Sequence, residues 1–385
     1  MLQPLTPEAA AREAGLRYVS DAGPGLRRQR SGIGFSYRDT DGALLRDRAT
    51  LQRLRSLAIP PAWTQVWICP RSDGHIQATG RDARGRKQYI YHPEFRALRE
   101  SGKYAALPGF ARLLPAIRAQ VTADMARSGL PREKVLAAIV YLLERTLIRI
   151  GNADYAEQNG SHGLTTLTRR HVKVEGGALR FRFTGKSGKS WDLQLHDRRV
   201  LKVIRACQEL PGQELFRYRA EDGAVLAVSS ADVNDYLRSV SGSEVTAKDF
   251  RTWAGTVLAA LALQAFAAPQ SQREAKRNLK AAITEVSGKL GNTVTICRKC
   301  YIHPVVIERY MAGQHRLRMP TKIDIIGLQP EEIAVLRHIT QRKISALRLP
   351  VAVKPKAKTI VKKNPPPKKS LRETRETVMA NGTQP

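Results

Sequence analysis

Along this chain of 385 residues the spacing of hydrophobic and polar positions changes twice. From about residue 16 to 95, short alternating segments at 32–38, 65–69, 75–79 and 87–92 are separated by Gly, Pro and Asp-Gly turns, which predicts a β-rich domain. Within it, 47–57 reads as a short helix closed by Pro60-Pro61. From about residue 100 the period becomes 3.6. After Leu130-Pro131, the apolar residues Val135, Ile139, Leu142, Leu143, Leu147 and Ile150 recur at three and four, predicting a helix that ends at Gly151-Asn152 with Arg149 in its last turn. Three alternating runs, 171–175, 179–183 and 190–195, then interrupt the helices. They are joined by Gly176-Gly177 and by a turn between Gly185 and Gly188, with Lys186 at its tip. Helices resume from Asp197 to about Ser345.

The expected fold class is α+β. A small β-rich N-terminal domain (1–96) precedes a mostly α-helical domain (97–345) that carries a three-stranded β-hairpin island. The last segment, 346–385, is rich in Lys and Pro and too poor in apolar residues to bury a core, so disorder is expected there. The opening residues predict a helix with Thr6 as N-cap and Pro7 in its first turn rather than an export signal, so the expected location is cytoplasmic. The most apolar run, 254–268, is Ala-rich, contains Gln264 and is shorter than the roughly 18–20 residues of a membrane span. It is expected to be a buried core helix, and no membrane partner is expected.

Charge narrows the partner. Lys and Arg number 65 against 34 Asp and Glu, a net +31. Residues 350–385 hold nine basic and two acidic residues, so about +24 remains on the part that folds. A polyanion is the expected partner, although charge alone does not separate DNA from RNA or an anionic membrane. Cys69, Cys207, Cys297 and Cys300 are scattered. The single Cys297-x-x-Cys300 pair lacks a second pair at zinc spacing, which predicts reduced thiols and no metal site.

Candidate chemistry comes from an ordered set: Arg149, Lys186 at a hairpin tip, Lys248-x-x-Arg251 opening the Ala-rich helix, Asn292, and Tyr301 just before a helix begun by Pro304. Cleaving a phosphodiester without metal needs a nucleophilic oxygen, fixed cations over the non-bridging oxygens and an acid for the leaving alkoxide. A tyrosine, two arginines and a lysine meet that need. Taken singly each has a bland role: Arg149 as a helix-end cap, Lys186 as a solvated turn lysine, Tyr301 as a packing residue. Arg251 near a helix N-terminus opposes the helix dipole, a cost that a phosphate bound at the same place would offset.

In this order and context the chain resembles the bacterial and poxvirus type IB DNA topoisomerases, relatives of the tyrosine recombinases, over roughly residues 16–335. The resemblance includes Ile59-Pro-Pro-Ala-Trp63 through Trp67-Ile-Cys-Pro70. It also includes Gly80-Arg-Asp-Ala-Arg-Gly-Arg-Lys-Gln-Tyr-Ile-Tyr-His-Pro93, a string specific to the bacterial branch. It implies that Tyr301 is the nucleophile, Arg149 and Arg251 clamp the phosphate, Lys186 is the general acid and Lys248 an auxiliary cation. Asn292 stands where the viral and nuclear enzymes carry histidine; it can donate a hydrogen bond but carries no charge. Tyrosine ordinarily ionises near pH 10, so the cations must favour the phenolate, and no general base is evident.

In the N-terminal domain Tyr89, Tyr91, Arg86 and Lys87 are implied contacts to duplex DNA, gripped from the side opposite the catalytic domain; Tyr155 either contacts the backbone or packs. The implied activity is relaxation of supercoiled double-stranded DNA through a 3′-phosphotyrosyl link and religation. It needs neither ATP nor metal, and a nucleoid-associated monomer is expected. A site-specific tyrosine recombinase is the nearest rival, but such enzymes show His-x-x-Arg where this chain has Lys248-x-x-Arg251, and a helical N-terminal module. A noncatalytic nucleoid protein would account for the charge but not for the ordered set.

Overall fold

The computed structural model describes residues 6–341, so the basic segment expected from residue 346 lies outside the described residues. Helix α1 (Pro7–Glu13) begins as predicted: the Thr6 hydroxyl accepts from the Ala9 N–H at 3.2 Å, and Pro7 sits where a missing N–H leaves nothing unpaired. An antiparallel sheet follows, formed by β1 (Leu26–Ser31), β2 (Gly34–Arg38), β3 (Thr64–Ile68), β4 (Ile76–Arg81) and β5 (Lys87–Tyr91) in the order β2-β1-β3-β4-β5. Helix α2 (Arg48–Ser56), capped by Asp47, adds Leu54 to a small core of Leu26, Ile59, Val66, Ile68 and Ala78. Strand β1 was not legible in the pattern. Its sequence LRRQRS buries only Leu26, and register with β2 holds the rest.

Helix α3 (Pro93–Met125) starts earlier than the change of period suggests, with His92 as N-cap and Pro93 in the first turn. Phe95 packs with Ala10, Ala11 and Leu16, so the expected boundary at 96/97 falls inside a helix that joins both parts of the chain. Helix α4 (Arg132–Thr146) stops short of its predicted end. Leu147 takes a left-handed conformation (φ 57°), its N–H bonding the Leu143 carbonyl, and the chain leaves the helix axis. Leu147 and Ile150 still pack on the core, which is why their spacing looked helical. Arg149 therefore lies beyond the helix rather than in its last turn.

After α5 (Ala153–Asn159) the island appears as predicted, with β6 (Val172–Glu175), β7 (Ala178–Gly185) and β8 (Lys189–Leu195) in sequential antiparallel order. Leu179, Phe181 and Phe183 of β7 are buried at every second position. Helix α6 (Arg198–Glu209) is followed by a short hairpin that the sequence did not announce, β9 (Arg217–Arg219) with β10 (Val225–Ala227). The remaining elements are α7 (Ser230–Ser241), α8 (Ala247–Gln264), α9 (Gln272–Leu290), α10 (Val294–Cys300), α11 (Pro304–Met311) and α12 (Pro330–Thr340). The fold is α+β, a small N-terminal sheet followed by a mostly helical body with its own large core.

The Ala-rich run predicted as a core helix is largely α8, with Ala259, Ala260 and Leu263 buried. Among the described residues no helix is long and apolar enough to cross a membrane. A charged knot locks α3, α4, α8 and α12 together. Arg118 donates to Glu144 at 2.8 Å and to both carboxylate oxygens of Glu332, which also accepts from Trp253 Nε1 at 2.9 Å.

Candidate active site

The ends of three helices and one irregular segment bring the predicted residues together. Arg149 sits between α4 and α5, where its carbonyl accepts from the Leu164 N–H at 2.9 Å and the neighbouring Ile150 carbonyl accepts from Thr165 at 2.8 Å. Gly163 closes on the same segment: a Cβ there would stand 2.5 Å from the Arg149 carbonyl oxygen and from the Gly151 nitrogen, so only glycine permits the approach. Thus fixed, Arg149 donates to the Gly291 carbonyl at 3.1 Å and to the side-chain oxygen of Asn292.

Asn292 follows α9, whose C-cap Gly291 is left-handed (φ 60°). Its Oδ1 is taken by Arg149, and its Nδ2 is buried without a hydrogen-bond partner. An unpaired buried donor costs free energy unless something accepts from it. Among the described residues this donor has no acceptor.

Arg251 is only 3% exposed. The sequence suggested that a phosphate at the α8 N-terminus would explain a cation there, but that terminus is occupied by its own capping box, in which Asp249 accepts from the Thr246 N–H and hydroxyl, both at 2.9 Å. Arg251 is held instead by two helix C-termini. It donates to the carbonyl of Leu147, the C-cap of α4, and to that of Leu290, the last residue of α9, at 2.7 Å. Helix C-termini carry negative partial charge and offset the burial of a cation. Burial, with Arg149 beside it, still brings the guanidinium down to about 10. Its Nε is buried without a partner.

Tyr301 is the C-cap of α10, its N–H bonded to the Cys297 carbonyl at 3.0 Å. Arg251 lies 5.2 Å from its ring centroid. The backbone at Tyr301 lies directly on α8: a Cβ at Gly255 would come 2.6 Å from the Tyr301 carbonyl oxygen, and Thr256 donates to that oxygen at 3.4 Å. Arg149, Arg251, Asn292 and Tyr301 therefore form one cluster. Among the described residues neither arginine pairs with a carboxylate; both spend their donors on carbonyls and an amide oxygen.

Lys186 joins this cluster indirectly. It is exposed at the tip between β7 and β8, where Ser187 takes φ 64°, and its Nζ lies 5.5 Å from the Tyr155 ring centroid. The root of the tip is docked by Trp191 of β8, whose indole fills the space over Gly185 and over Gly291; a Cβ would meet that ring at 2.7 Å and 2.8 Å respectively. The hairpin is thereby anchored one residue from Asn292, with Lys186 exposed at its tip. Lys248 is exposed in the first turn of α8.

Comparison with known proteins gives the family. Residues 92–322 match the model of the family described as eukaryotic DNA topoisomerase I, catalytic core, and residues 34–82 match that of bacterial DNA topoisomerase IB, N-terminal domain. A DNA topoisomerase 1B of Acanthamoeba polyphaga mimivirus is 30% identical over 293 residues, spanning 74% of this chain and 87% of that protein. The DNA topoisomerase I of Monkeypox virus and a DNA topoisomerase 1B of Vaccinia virus (strain Copenhagen) are each 20% identical over 231 residues, 60% of this chain and 70% of theirs. The chain belongs to the type IB DNA topoisomerases. It is accordingly a DNA-binding enzyme of the topoisomerase I class.

In the N-terminal part of this topoisomerase, Tyr89 and Tyr91 share a face of β5 and stack, with ring centroids 5.8 Å apart. Tyr89 is exposed and Tyr91 half-buried against Phe95 and His75. Burial raises the Tyr91 phenol above its ordinary value. Lys87 pairs with Asp21 at 2.6 Å and Arg86 with Asp82 at 2.7 Å. Their charges are thus partly neutralised, unlike those of Arg149 and Arg251. The turn that carries Arg86 also reaches α5: Arg84 donates to Asn159 at 2.6 Å, and the Arg86 guanidinium lies 5.8 Å from the Tyr155 ring. Two cations, Arg86 and Lys186, thus lie near the Tyr155 ring.

Sequence reasoning missed several residues around the nucleophile candidate. Gly255, Thr256 and Trp191 support the site through backbone and ring contacts that have no spacing signature. Lys103 and Tyr104, about a third of the way along α3, bond the Cys300 and Lys299 carbonyls.

Proposed function

We propose that this topoisomerase relaxes supercoiled duplex DNA by transient cleavage of one strand. Tyr301 attacks the phosphorus in line and its proton passes to water. The bond to the 5′ oxygen breaks as Lys186 protonates that oxygen. The products are a 3′-phosphotyrosyl link and a free 5′ hydroxyl, and the reverse step reseals the strand. Arg149 and Arg251 hold the non-bridging oxygens, with the Asn292 Nδ2 as a third donor and Lys248 as an auxiliary cation. Tyr89, Tyr91, Arg86 and Lys87 grip the duplex from the N-terminal domain, and Tyr155 supports Lys186.

The reading rests on one observation above all. A tyrosine lies in a cluster where two arginines lack carboxylate partners and two buried donors, Asn292 Nδ2 and Arg251 Nε, have none at all. A phosphodiester that becomes five-coordinate under in-line attack, with charge growing on its non-bridging oxygens, would satisfy that arrangement, and fixed donors aimed at developing charge are the usual source of the largest catalytic effect. The covalent link conserves the energy of the broken bond, so no ATP enters the scheme, and the arginines and Lys186 take the charge-stabilising role that a metal ion would otherwise fill. The enzyme acts as a monomer on cytoplasmic, nucleoid DNA. A site-specific recombinase would share the cluster, but the β-rich N-terminal sheet and Lys248 ahead of Arg251 favour the relaxation activity. The test is relaxation of a negatively supercoiled plasmid in EDTA without ATP. A ladder of topoisomers is expected; a requirement for ATP or for magnesium would defeat the proposal, and strand exchange at a specific site without relaxation would favour the recombinase.

A further inference from the structure

Beside Tyr301 stands a cation that the phosphate-binding scheme does not use. The Nζ of Lys103 donates to the Cys300 carbonyl, the peptide that leads into Tyr301, and lies 5.5 Å from the Tyr301 ring centroid and 4.8 Å from that of Tyr104. Tyr104, the next residue of α3, donates its hydroxyl to the Lys299 carbonyl at 2.7 Å. Two adjacent side chains of α3 therefore take the last two carbonyls of α10, groups that a helix leaves without partners of its own.

Capping alone does not account for Lys103. A lysine that caps a helix end ordinarily keeps its ammonium in water, yet this one is half-buried. Burial, with Lys248 facing it, brings the ammonium down to about 8. The titratable and charged groups around it are Lys248 and Asp249 from α8, Glu100 and Tyr104 from its own helix, and Cys300 and Tyr301 at the end of α10. Asp249, Glu100 and Cys300 favour the charged form, Lys248 and the low polarity oppose it, and an incoming phosphate would favour it further. Placing a charge there has a cost, and the cost is offset if a second charge forms next to it. The anion of a tyrosine, delocalised over ring and oxygen, is such a charge.

We propose that Lys103 is a positioning residue for Tyr301, holding the end of α10 in place and supplying the cation that favours the tyrosine anion during attack. This rests on the reading of Tyr301 as the nucleophile. In the step itself the phenolic proton passes to water, the Tyr301 oxygen bonds to phosphorus and the 5′ oxygen leaves with the Lys186 proton; Lys103 forms and breaks no covalent bond.

The experiment measures single-turnover formation of the denaturant-trapped covalent adduct by the full-length protein between pH 6 and 9. Loss of a fixed charge at this distance should slow Lys103→Met by roughly 10- to 100-fold near neutral pH. It should also move the rising limb of log rate against pH upward by about one unit or more. Lys103→Arg keeps a charge that does not titrate in this range, so below about pH 8 it should stay within a few-fold of wild type with the limb unmoved, and above that it should hold its rate where the wild-type ammonium loses its proton. Lys103→Gln retains a donor for the Cys300 carbonyl without the charge, and it should behave like the Met variant. A Met variant slowed by one constant factor at every pH, or not slowed, overturns the proposal. So does a Gln variant with the wild-type rate and profile, which would reduce Lys103 to a tether. Tyr301→Phe runs alongside: an adduct in that variant removes the nucleophile reading, whereas a Tyr301-dependent adduct indifferent to Lys103 removes this inference alone.

Discussion

Arg149 donates to the side-chain oxygen of Asn292, and that bond turns the Asn292 amide nitrogen into a buried donor without a partner. The arginine thus acts twice, through its own charge and by fixing which end of the amide is offered to the substrate. Asn292→Ala should lower the single-turnover cleavage rate by roughly 10²-fold, the effect of deleting one preorganised donor, while DNA affinity stays nearly constant. A variant that loses affinity and rate in proportion would show that Asn292 only binds.

Tyr301→Phe deletes one oxygen from a cluster whose cations are held by backbone carbonyls, so the site should survive the change. Relaxation should vanish while DNA affinity remains within a few-fold of wild type. Electrophoresis after denaturant trapping checks both points, with protein–DNA adduct expected only in the wild type.

The backbone contact between Gly255 and Tyr301 predicts a more selective defect. A Cβ at Gly255 would stand 2.6 Å from the Tyr301 carbonyl oxygen, so Gly255→Ala must push the end of α10 off α8. Overpacking of this kind costs about 1–3 kcal/mol, and cleavage should slow as the tyrosine is displaced. Gly288→Ala in α9 is the control. Nothing lies within 4 Å of its Cβ, so it should be neutral or slightly stabilising. Equal melting temperatures for the two variants would contradict the close packing at Tyr301.

Much of this arrangement was visible in the sequence because the local signals were strong. Thr6-Pro7, Asp47 and Asp197 each announced a helix start, and Gly176-Gly177 and 185–188 announced the island's turns. The set from Arg149 to Tyr301 stood out by its order and by the family resemblance, not by local signals, and the structure brings Arg149, Arg251, Asn292 and Tyr301 together. What failed was what tertiary packing decides. The period through Leu147 and Ile150 continued past a helix that a left-handed residue had already ended. The polar strand β1 is specified by register with β2 and not by its own pattern. The environment of Arg251 depends on the C-termini of α4 and α9, and Lys103 meets Tyr301 across nearly two hundred residues of chain, so neither leaves a trace in spacing.

The Arg118–Glu332 knot predicts a pH effect on stability. Burial alone would raise the Glu332 carboxyl, but Arg118, the Gln329 N–H and the Trp253 indole hold it below its ordinary value. A carboxylate whose folded-state pKa is depressed contributes stability above its unfolded pKa of about 4.3, and that contribution is lost as pH falls through the folded value. Glu332→Ala should therefore cost about 2–4 kcal/mol at pH 7, since it also strands the indole N–H. The gap between variant and wild type should narrow below about pH 4. Denaturant melts at pH 7 and pH 3.5 check this, and a gap independent of pH would show that the cost is only one of packing.

The last expectation concerns Lys186, whose position differs in kind from that of the arginines. Arg149 and Arg251 are fixed by carbonyls, whereas Lys186 rides on an exposed tip whose root alone is docked by Trp191. A group that gives a proton during cleavage and takes it back during religation suits an exposed tip, because it must reach the departing 5′ oxygen. Lys186→Ala should slow cleavage by roughly 10²- to 10⁴-fold, the range for a positioned acid. A substrate with sulfur at the bridging 5′ position has a leaving group that needs no proton, and it should restore most of the lost rate. Trp191→Ala should give a weaker defect that the same sulfur substrate also relieves, because it misplaces the acid without removing it. If the sulfur substrate rescues neither variant, Lys186 binds phosphate rather than donating a proton, and Lys248 becomes the group to test as the acid.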